Sequence, residues 1–168
     1  IEPSMLPEAV QSSIKEVACA TIEAVGIVNG PSHTEMKITD KGPKVIETAA
    51  RLGGDFITSK LVPLSTGVNL VEGSVLVALG RKYDFDPTIN RAASIGFITS
   101  KGGVIHSVRG FDEACCVAGV VEVELYRVLG ERISEPHSSN DRVGHIICAG
   151  NSPAEANASL GAALSCID

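Results

Sequence analysis

The 168-residue chain has no tryptophan, two tyrosines and four phenylalanines. It therefore lacks the aromatic platforms on which single-stranded nucleic acids stack. Positive charge is also scarce, since 14 Lys plus Arg stand against 20 Asp plus Glu for a net charge of −6, and no stretch gathers the basic residues. The electrostatic footprint of a nucleic-acid binder is missing, and no nucleic-acid partner is expected. The longest apolar runs, at 117–121 and 143–149, fall far short of the roughly 20 residues of a membrane span, so no membrane partner is expected either. The five cysteines (Cys19, Cys115, Cys116, Cys148, Cys166) are odd in number and form no CxxC, which reads as buried free thiols in a reducing, cytoplasmic setting. No GxSxG elbow and no GxxxxGK[ST] loop occurs, which removes the common hydrolase and P-loop signatures. The chain opens at Ile1 without an initiator Met and is expected to be a piece of a longer polypeptide.

What is present is an average globular composition, 44% hydrophobic and 20% charged, enough for a core without disulfide or metal staples. Over 7–25, Val10, Ile14, Val17, Thr21, Ala24 and Val25 recur at helical spacing, with Pro7 at the start and Gly26 at the end, so a helix is predicted there. The segment 33–39 alternates, with His33, Glu35, Lys37 and Thr39 on one face and Thr34, Met36 and Ile38 on the other, the period of a strand. A second strand over 44–49 follows Asp40-Lys41-Gly42. That triplet suits a three-residue hairpin loop whose last residue takes positive φ. The resulting register sets Glu35 directly opposite Glu47 on one sheet face.

A short helix is expected near 56–61, then a loop with Pro63, Ser65, Thr66 and Gly67, then a helix capped by Asn69 and Glu72. Its apolar stripe is Val68, Val71, Val75, Leu76 and Leu79. The polar stretch 81–90 marks a module boundary, and the expected domains are 1–86 and 87–168. Beyond it the pattern predicts strands at 92–99, 104–108, 120–127 and 144–149, a short helical element at 112–116 and a helix over 153–166. The expected class is α+β, an antiparallel sheet with flanking helices followed by a small α+β domain.

Two like charges facing each other on a sheet are unfavourable unless a shared proton, a basic side chain or a hard divalent cation compensates. If the strand continues, Arg51 shares that face about 13 Å from Glu47. Two carboxylates and an Arg suit Mg²⁺ bridging phosphate oxygens, with the guanidinium steadying an anionic intermediate. The competing reading is a solvated sheet face screened by Lys37 and Arg51. His33, on the same face, reads as a residue that orients Glu35 or touches substrate, and equally as a hydrogen-bonded structural histidine. Cys115-Cys116 with His106 has no zinc-like ligand spacing. His137, Asp141 and His145 lie in a loop and a strand, away from any nucleophile elbow.

The run Gly30-Pro31-Ser32-His33-Thr34-Glu35-Met36-Lys37, followed by Gly42 through Gly54 with Ile46-Glu47, Ala49-Ala50-Arg51 and Gly53-Gly54, resembles the C-terminal catalytic part of ATP-grasp enzymes. The likeness is to their L-amino-acid ligase and carbamoyl-phosphate-synthase-like branch. Thr66-Gly67-Val68 before a helix ending Ala78-Leu79-Gly80 fits the same pattern, and residues 91–168 resemble the small domain that follows the grasp. The resemblance implies that Glu35 and Glu47 bind Mg²⁺ (or Mn²⁺) between the phosphates of ATP. It further implies that Arg51 contacts an acyl-phosphate and that the Gly54 backbone helps form its oxyanion pocket. Where many ATP-grasp enzymes carry a ligating Asn two residues past the second Glu, this chain has Ala49, so metal binding rests on two carboxylates.

The implied activity is ATP-dependent joining of a carboxylate to an amine or thiol through an acyl phosphate, with ATP and a small carboxylate as partners. The implied partners also include the N-terminal domains of the same polypeptide, which supply the phosphate clamp absent here. The chain by itself is therefore expected to be inactive. The alternative is a non-catalytic binding or assembly module built on the same fold, and the oligomeric state stays open.

Overall fold

The computed structural model describes residues 1–168 and divides into two compact units, Ser4–Ile89, and Asn90–Asp168 together with Ile1–Pro3. The division falls between residues 89 and 90. The first three residues belong to the second unit because Glu2 and Ala93 exchange backbone hydrogen bonds of 2.8 and 2.7 Å. The class is α+β, with antiparallel sheets and flanking helices as expected. No single helix is long and apolar enough to cross a membrane.

The first unit begins with α1 (Glu8–Ala24), which ends as Gly26 takes a φ of 76°. Its stripe of Val10, Ile14, Val17 and Thr21 is half-buried, and no residue of the helix is fully buried. It packs against β2 of a hairpin formed by β1 (His33–Thr39) and β2 (Gly42–Ala49). A π-helical turn (Ile57–Leu61) runs directly into α2 (Val62–Thr66). Pro63 therefore lies in the first turn of a helix, where its missing N–H costs nothing, and the loop expected around it is helical instead. Helix α3 (Leu70–Ala78) follows, its start capped by Asn69 Oδ1, which accepts from the Glu72 N–H at 3.1 Å. Of the expected stripe, Val68 is buried and Leu76 half-buried, while Val71, Val75 and Leu79 are exposed. The buried position within the helix is Gly73, where a Cβ would come within 2.6 Å of Phe85 and 2.8 Å of Tyr83.

The second unit is a three-stranded antiparallel sheet in the order β3 (Ala92–Ile98), β7 (Gly144–Gly150), β5 (Val120–Leu125). Both faces of the central strand β7 are buried along its length, so apart from His145 it carries no polar side chain and shows no apolar–polar alternation. One face carries Ile146 and Cys148 against Ala114 of α4 (Phe111–Cys116) and Leu160 and Ala163 of α5 (Pro153–Leu164). Close packing of α5 on β3 depends on Gly96, where a Cβ would lie 2.8 Å from Leu164.

The strand expected over 104–108 shrinks to β4 (Gly103–Val104), paired with β6 (Arg132–Ile133). Beyond it Ile105 bonds to the backbone of Gly130 and Glu131, and Arg109 to that of Asp168, so no ladder continues. The cysteines correct the sequence reading: Cys148 is buried and Cys166 half-buried, while Cys19, Cys115 and Cys116 are exposed.

Candidate phosphate and metal site on the hairpin

Glu35 and Glu47 are direct register partners, though the route to that pairing differs from the one the turn residues suggest. The turn holds two residues, Asp40 and Lys41, and Gly42, at φ 86°, already pairs with Thr39. The Thr39 hydroxyl steadies the turn by donating to the Gly42 carbonyl at 2.9 Å and accepting from the Lys41 N–H at 3.1 Å. Continued without interruption, that register would set Glu35 opposite Ile46 and send Glu47 to the other face. A bulge intervenes between Met36↔Val45 and Glu35↔Glu47, leaving Ile46 as the extra residue. The shorter turn and the bulge cancel, and both carboxylates emerge on one face. On the opposite face the hydroxyls of the next pair, Thr34 and Thr48, hydrogen-bond at 2.9 Å and pin the register beside the site.

The two carboxylates are solvated, with side chains 57% and 60% exposed. Arg51 is not placed along the strand as expected, because β2 ends at Ala49 and the chain bends at 50–51. The bend returns its Nη2 to 3.6 Å from Glu47 Oε1, while Nη1 donates to the Leu52 carbonyl at 3.0 Å. At the other carboxylate, His33 Nε2 stands 3.6 Å from Glu35 Oε1. Each acid thus has one basic neighbour at ion-pair distance and keeps most of its oxygen surface open. That donor set fits a hard divalent cation that takes few protein ligands and keeps water and phosphate oxygens in its shell.

Beyond Arg51 the chain turns sharply. Asp55 and Phe56 both take left-handed conformations, at φ 50° and 60°. For non-glycine residues these are strained geometries, of the kind held at functional sites by their surroundings. The turn is anchored by the buried Thr58, whose hydroxyl donates to the Gly53 carbonyl at 2.8 Å, and by the Ile57 N–H, which donates to Gly54 at 2.9 Å. The two glycines differ in kind. A Cβ on Gly54 would meet nothing within 4 Å, whereas one on Gly53 would lie 2.9 Å from His33 Nδ1. Gly54 is open to an incoming group, and Gly53 is a packing requirement that sequence reasoning missed. Behind the turn lies a 630 Å³ cavity bordered by Ile22, His33, Gly53, Thr58, Ser74 and Phe85.

A second titratable cluster sits in the other unit. His145, fully buried on β7, lies 2.7 Å from the Tyr126 hydroxyl through Nδ1 and 3.1 Å from Glu122 Oε1 through Nε2. Glu124 is 3.9 Å away, and the three acid and imidazole donors lie within 4.8 Å of one another. Both imidazole nitrogens are engaged, which identifies a satisfied core histidine. Nearby, the Arg142 guanidinium stacks 3.5 Å above the Phe97 ring. Cys115, Cys116 and His106 form no cluster of metal-ligating groups.

These elements, a hairpin with paired acids, a following Arg and Gly-Gly turn, and a three-stranded antiparallel sheet further along the chain, resemble the C-terminal part of ATP-grasp ligases. Residues 96–168 match L-amino acid ligase C-terminal domain 2. The L-amino acid ligase from Bacillus licheniformis superposes with a TM-score of 0.84 at 25% identity, over 98% of this chain and 43% of that one. An uncharacterized protein of Sinorhizobium fredii is 28% identical over 167 residues, 99% of this chain and 35% of that protein. The L-arginine-specific L-amino acid ligase of Bacillus subtilis is 28% identical over 137 residues, 79% of this chain and 32% of that protein. The chain thus spans about a third of the length of these two relatives, and what it is similar to is the C-terminal part of such ligases.

Proposed function

We propose that this chain supplies the metal- and phosphate-facing half of an ATP-dependent ligase that joins a small carboxylate, in the first instance an amino acid, to an amine. The observation that carries the reading is the bulge that brings Glu35 and Glu47 to one exposed face, with Arg51 folded back to its edge. Glu35 and Glu47 would hold Mg²⁺, or Mn²⁺ in its place, and the cation would neutralise charge on the ATP phosphates. Arg51, released from its weak exposed pair with Glu47, would hold the transferring phosphoryl oxygens. The open Gly54 backbone would donate to the oxyanion that forms when the amine attacks the acyl phosphate. Fixed donors aimed at developing charge are the main catalytic contribution in such transfers.

In this reading 1–86 is the catalytic lobe and 87–168 the small C-terminal domain of a cytoplasmic enzyme. The phosphate clamp and the residues that select carboxylate and nucleophile come from N-terminal domains of the same polypeptide, so the chain alone does not turn over. The Glu47–Arg51 pair at 3.6 Å favours the second reading, a non-catalytic module in which the arginine merely compensates the acid.

An isotope experiment separates the two. Full-length protein given ATP and an amino acid labelled with ¹⁸O in its carboxylate should release phosphate carrying one ¹⁸O, because an acyl phosphate leaves that oxygen on phosphorus. Release of unlabelled phosphate together with product would exclude the acyl-phosphate route, and no product at all would favour the non-catalytic module.

A further inference from the structure

We infer that His33 is a positioning residue that ties the Glu35 carboxylate to the Gly53-Gly54 turn, so that metal ligand and oxyanion pocket are set by one imidazole. The inference rests on the metal-site reading above and assigns a residue that reading does not use. His33 and Glu35 are two apart on β1 and share a face, and the ring reaches toward Glu35 with Nε2 at 3.6 Å from Oε1. This exceeds hydrogen-bond length, and a small rotation of the exposed carboxylate closes it. The Nδ1 side of the ring faces Gly53. Nδ1 and Cε1 lie where a Cβ on Gly53 would approach to 2.9 and 3.2 Å, and the next nearest atom to that point, at 3.5 Å, is the Thr58 hydroxyl oxygen. Gly53 is itself held by Thr58, whose hydroxyl donates to its carbonyl at 2.8 Å. Thr58, Gly53, the imidazole and Glu35 thus lie in sequence beside one another, with a hydrogen bond at the first step and an ion-pair distance at the last.

The physical reason for such a link is that a carboxylate with 57% of its side chain exposed samples several rotamers, and each costs metal affinity. Groups that orient a ligating carboxylate from behind typically change metal affinity by about 10–100-fold when removed. A histidine retained only for packing would be replaceable by an apolar residue of similar size with no such loss.

The test is a Mn²⁺ titration of the 168-residue chain, with a non-hydrolysable ATP analogue present, followed by electron paramagnetic resonance of free Mn²⁺. Four variants are compared with the parent: His33→Leu, His33→Gln, Gly53→Ala and the double variant Glu35→Gln with Glu47→Gln. His33→Leu should weaken Mn²⁺ at least about tenfold. His33→Gln, whose amide reaches the Nε2 position, should stay within about threefold of the parent. Gly53→Ala, which pushes on the imidazole without touching either acid, should weaken binding in the same direction as His33→Leu. Urea unfolding midpoints of the two His33 variants should match, so that the difference in affinity is not a difference in folding. Parent-like Mn²⁺ binding by His33→Leu, with binding lost in the double variant, would overturn the role of His33 and leave the metal site standing. Parent-like binding by the double variant, or no binding by the parent, would overturn the metal-site reading and this inference with it.

Discussion

The two units manage burial in opposite ways. In the second, every residue of β7 is buried and Ile146, Cys148, Leu160 and Ala163 close a core between sheet and helix. In the first, a 17-residue helix has no buried residue, the sheet has two strands, and Val28, Ile46 and Leu79 stand 95, 66 and 67% exposed. A two-stranded sheet is marginal by itself, yet this is the unit that carries the paired acids, the returning arginine and the strained turn. The contrast teaches that the chemistry-bearing residues lie where the backbone is shaped by local devices, a bulge, two left-handed residues and a π-helical turn, rather than by core packing. The unit with the closed core is also the one whose buried His145 has both ring nitrogens engaged.

The largest effect that would break this comparison is on stability. Ile146→Ala removes a fully buried side chain and should cost about 2–5 kcal/mol, whereas Ile46→Ala at the exposed bulge should change stability by no more than about 0.5 kcal/mol. Denaturant unfolding of both variants checks this, and similar losses would mean that the first unit has a core of its own.

Thiol chemistry sharpens the same contrast. Burial raises the Cys148 thiol to about 11, so it is protonated and shielded at neutral pH, while Cys19, Cys115 and Cys116 are exposed. Iodoacetamide followed by mass spectrometry should label those three in the folded chain and reach Cys148 only after denaturant is added. Labelling of Cys148 at the same rate would show that the second core opens readily.

A smaller effect concerns the loop before β7. The Asp141 carboxylate accepts from the His137 and Ser138 N–H groups at 2.9 and 2.8 Å and from the Ser138 hydroxyl at 3.0 Å. These bonds, led by the His137 N–H, hold its pKa below the usual 3.8. A depressed carboxylate pKa contributes stability that is present above the unfolded value and is lost as pH falls through the folded one. Asp141→Asn should therefore loosen the 137–142 loop at pH 7, seen as faster amide exchange at His137 and Ser138. The difference from the parent should fade as pH drops below about 3.8. A difference that persists at low pH would assign the effect to shape rather than charge.

Much of this was readable in the sequence, and the failures have physical causes. The period-two alternation of 33–39 located β1 as observed, and the Glu35↔Glu47 pairing was reached through two compensating errors, a turn one residue too long and an unseen bulge. A bulge has no composition signature when the extra residue is a β-branched Ile46 that suits a strand. The position of Arg51 was misjudged because nothing in Ala49-Ala50 announces the bend. Pro63 read as a breaker, although at a helix start it is favourable. The stripe of α3 holds at Val68 and Leu76 but not at Val71, Val75 and Leu79, because apolar spacing says which residues share a face but not whether anything covers it. Gly53 passed unnoticed beside Gly54, since a glycine required by a neighbouring imidazole looks, in sequence, like one required by a turn.

The central claim is that the bulged hairpin by itself carries a metal-phosphate half-site. Its most direct test is calorimetric titration of Mg²⁺ and a non-hydrolysable ATP analogue into the 168-residue chain and into its Glu35→Gln, Glu47→Gln variant. The parent should bind weakly, and the variant should lose that binding while keeping the parent's far-ultraviolet circular dichroism. Binding of equal strength by both chains, or none by the parent, would contradict it.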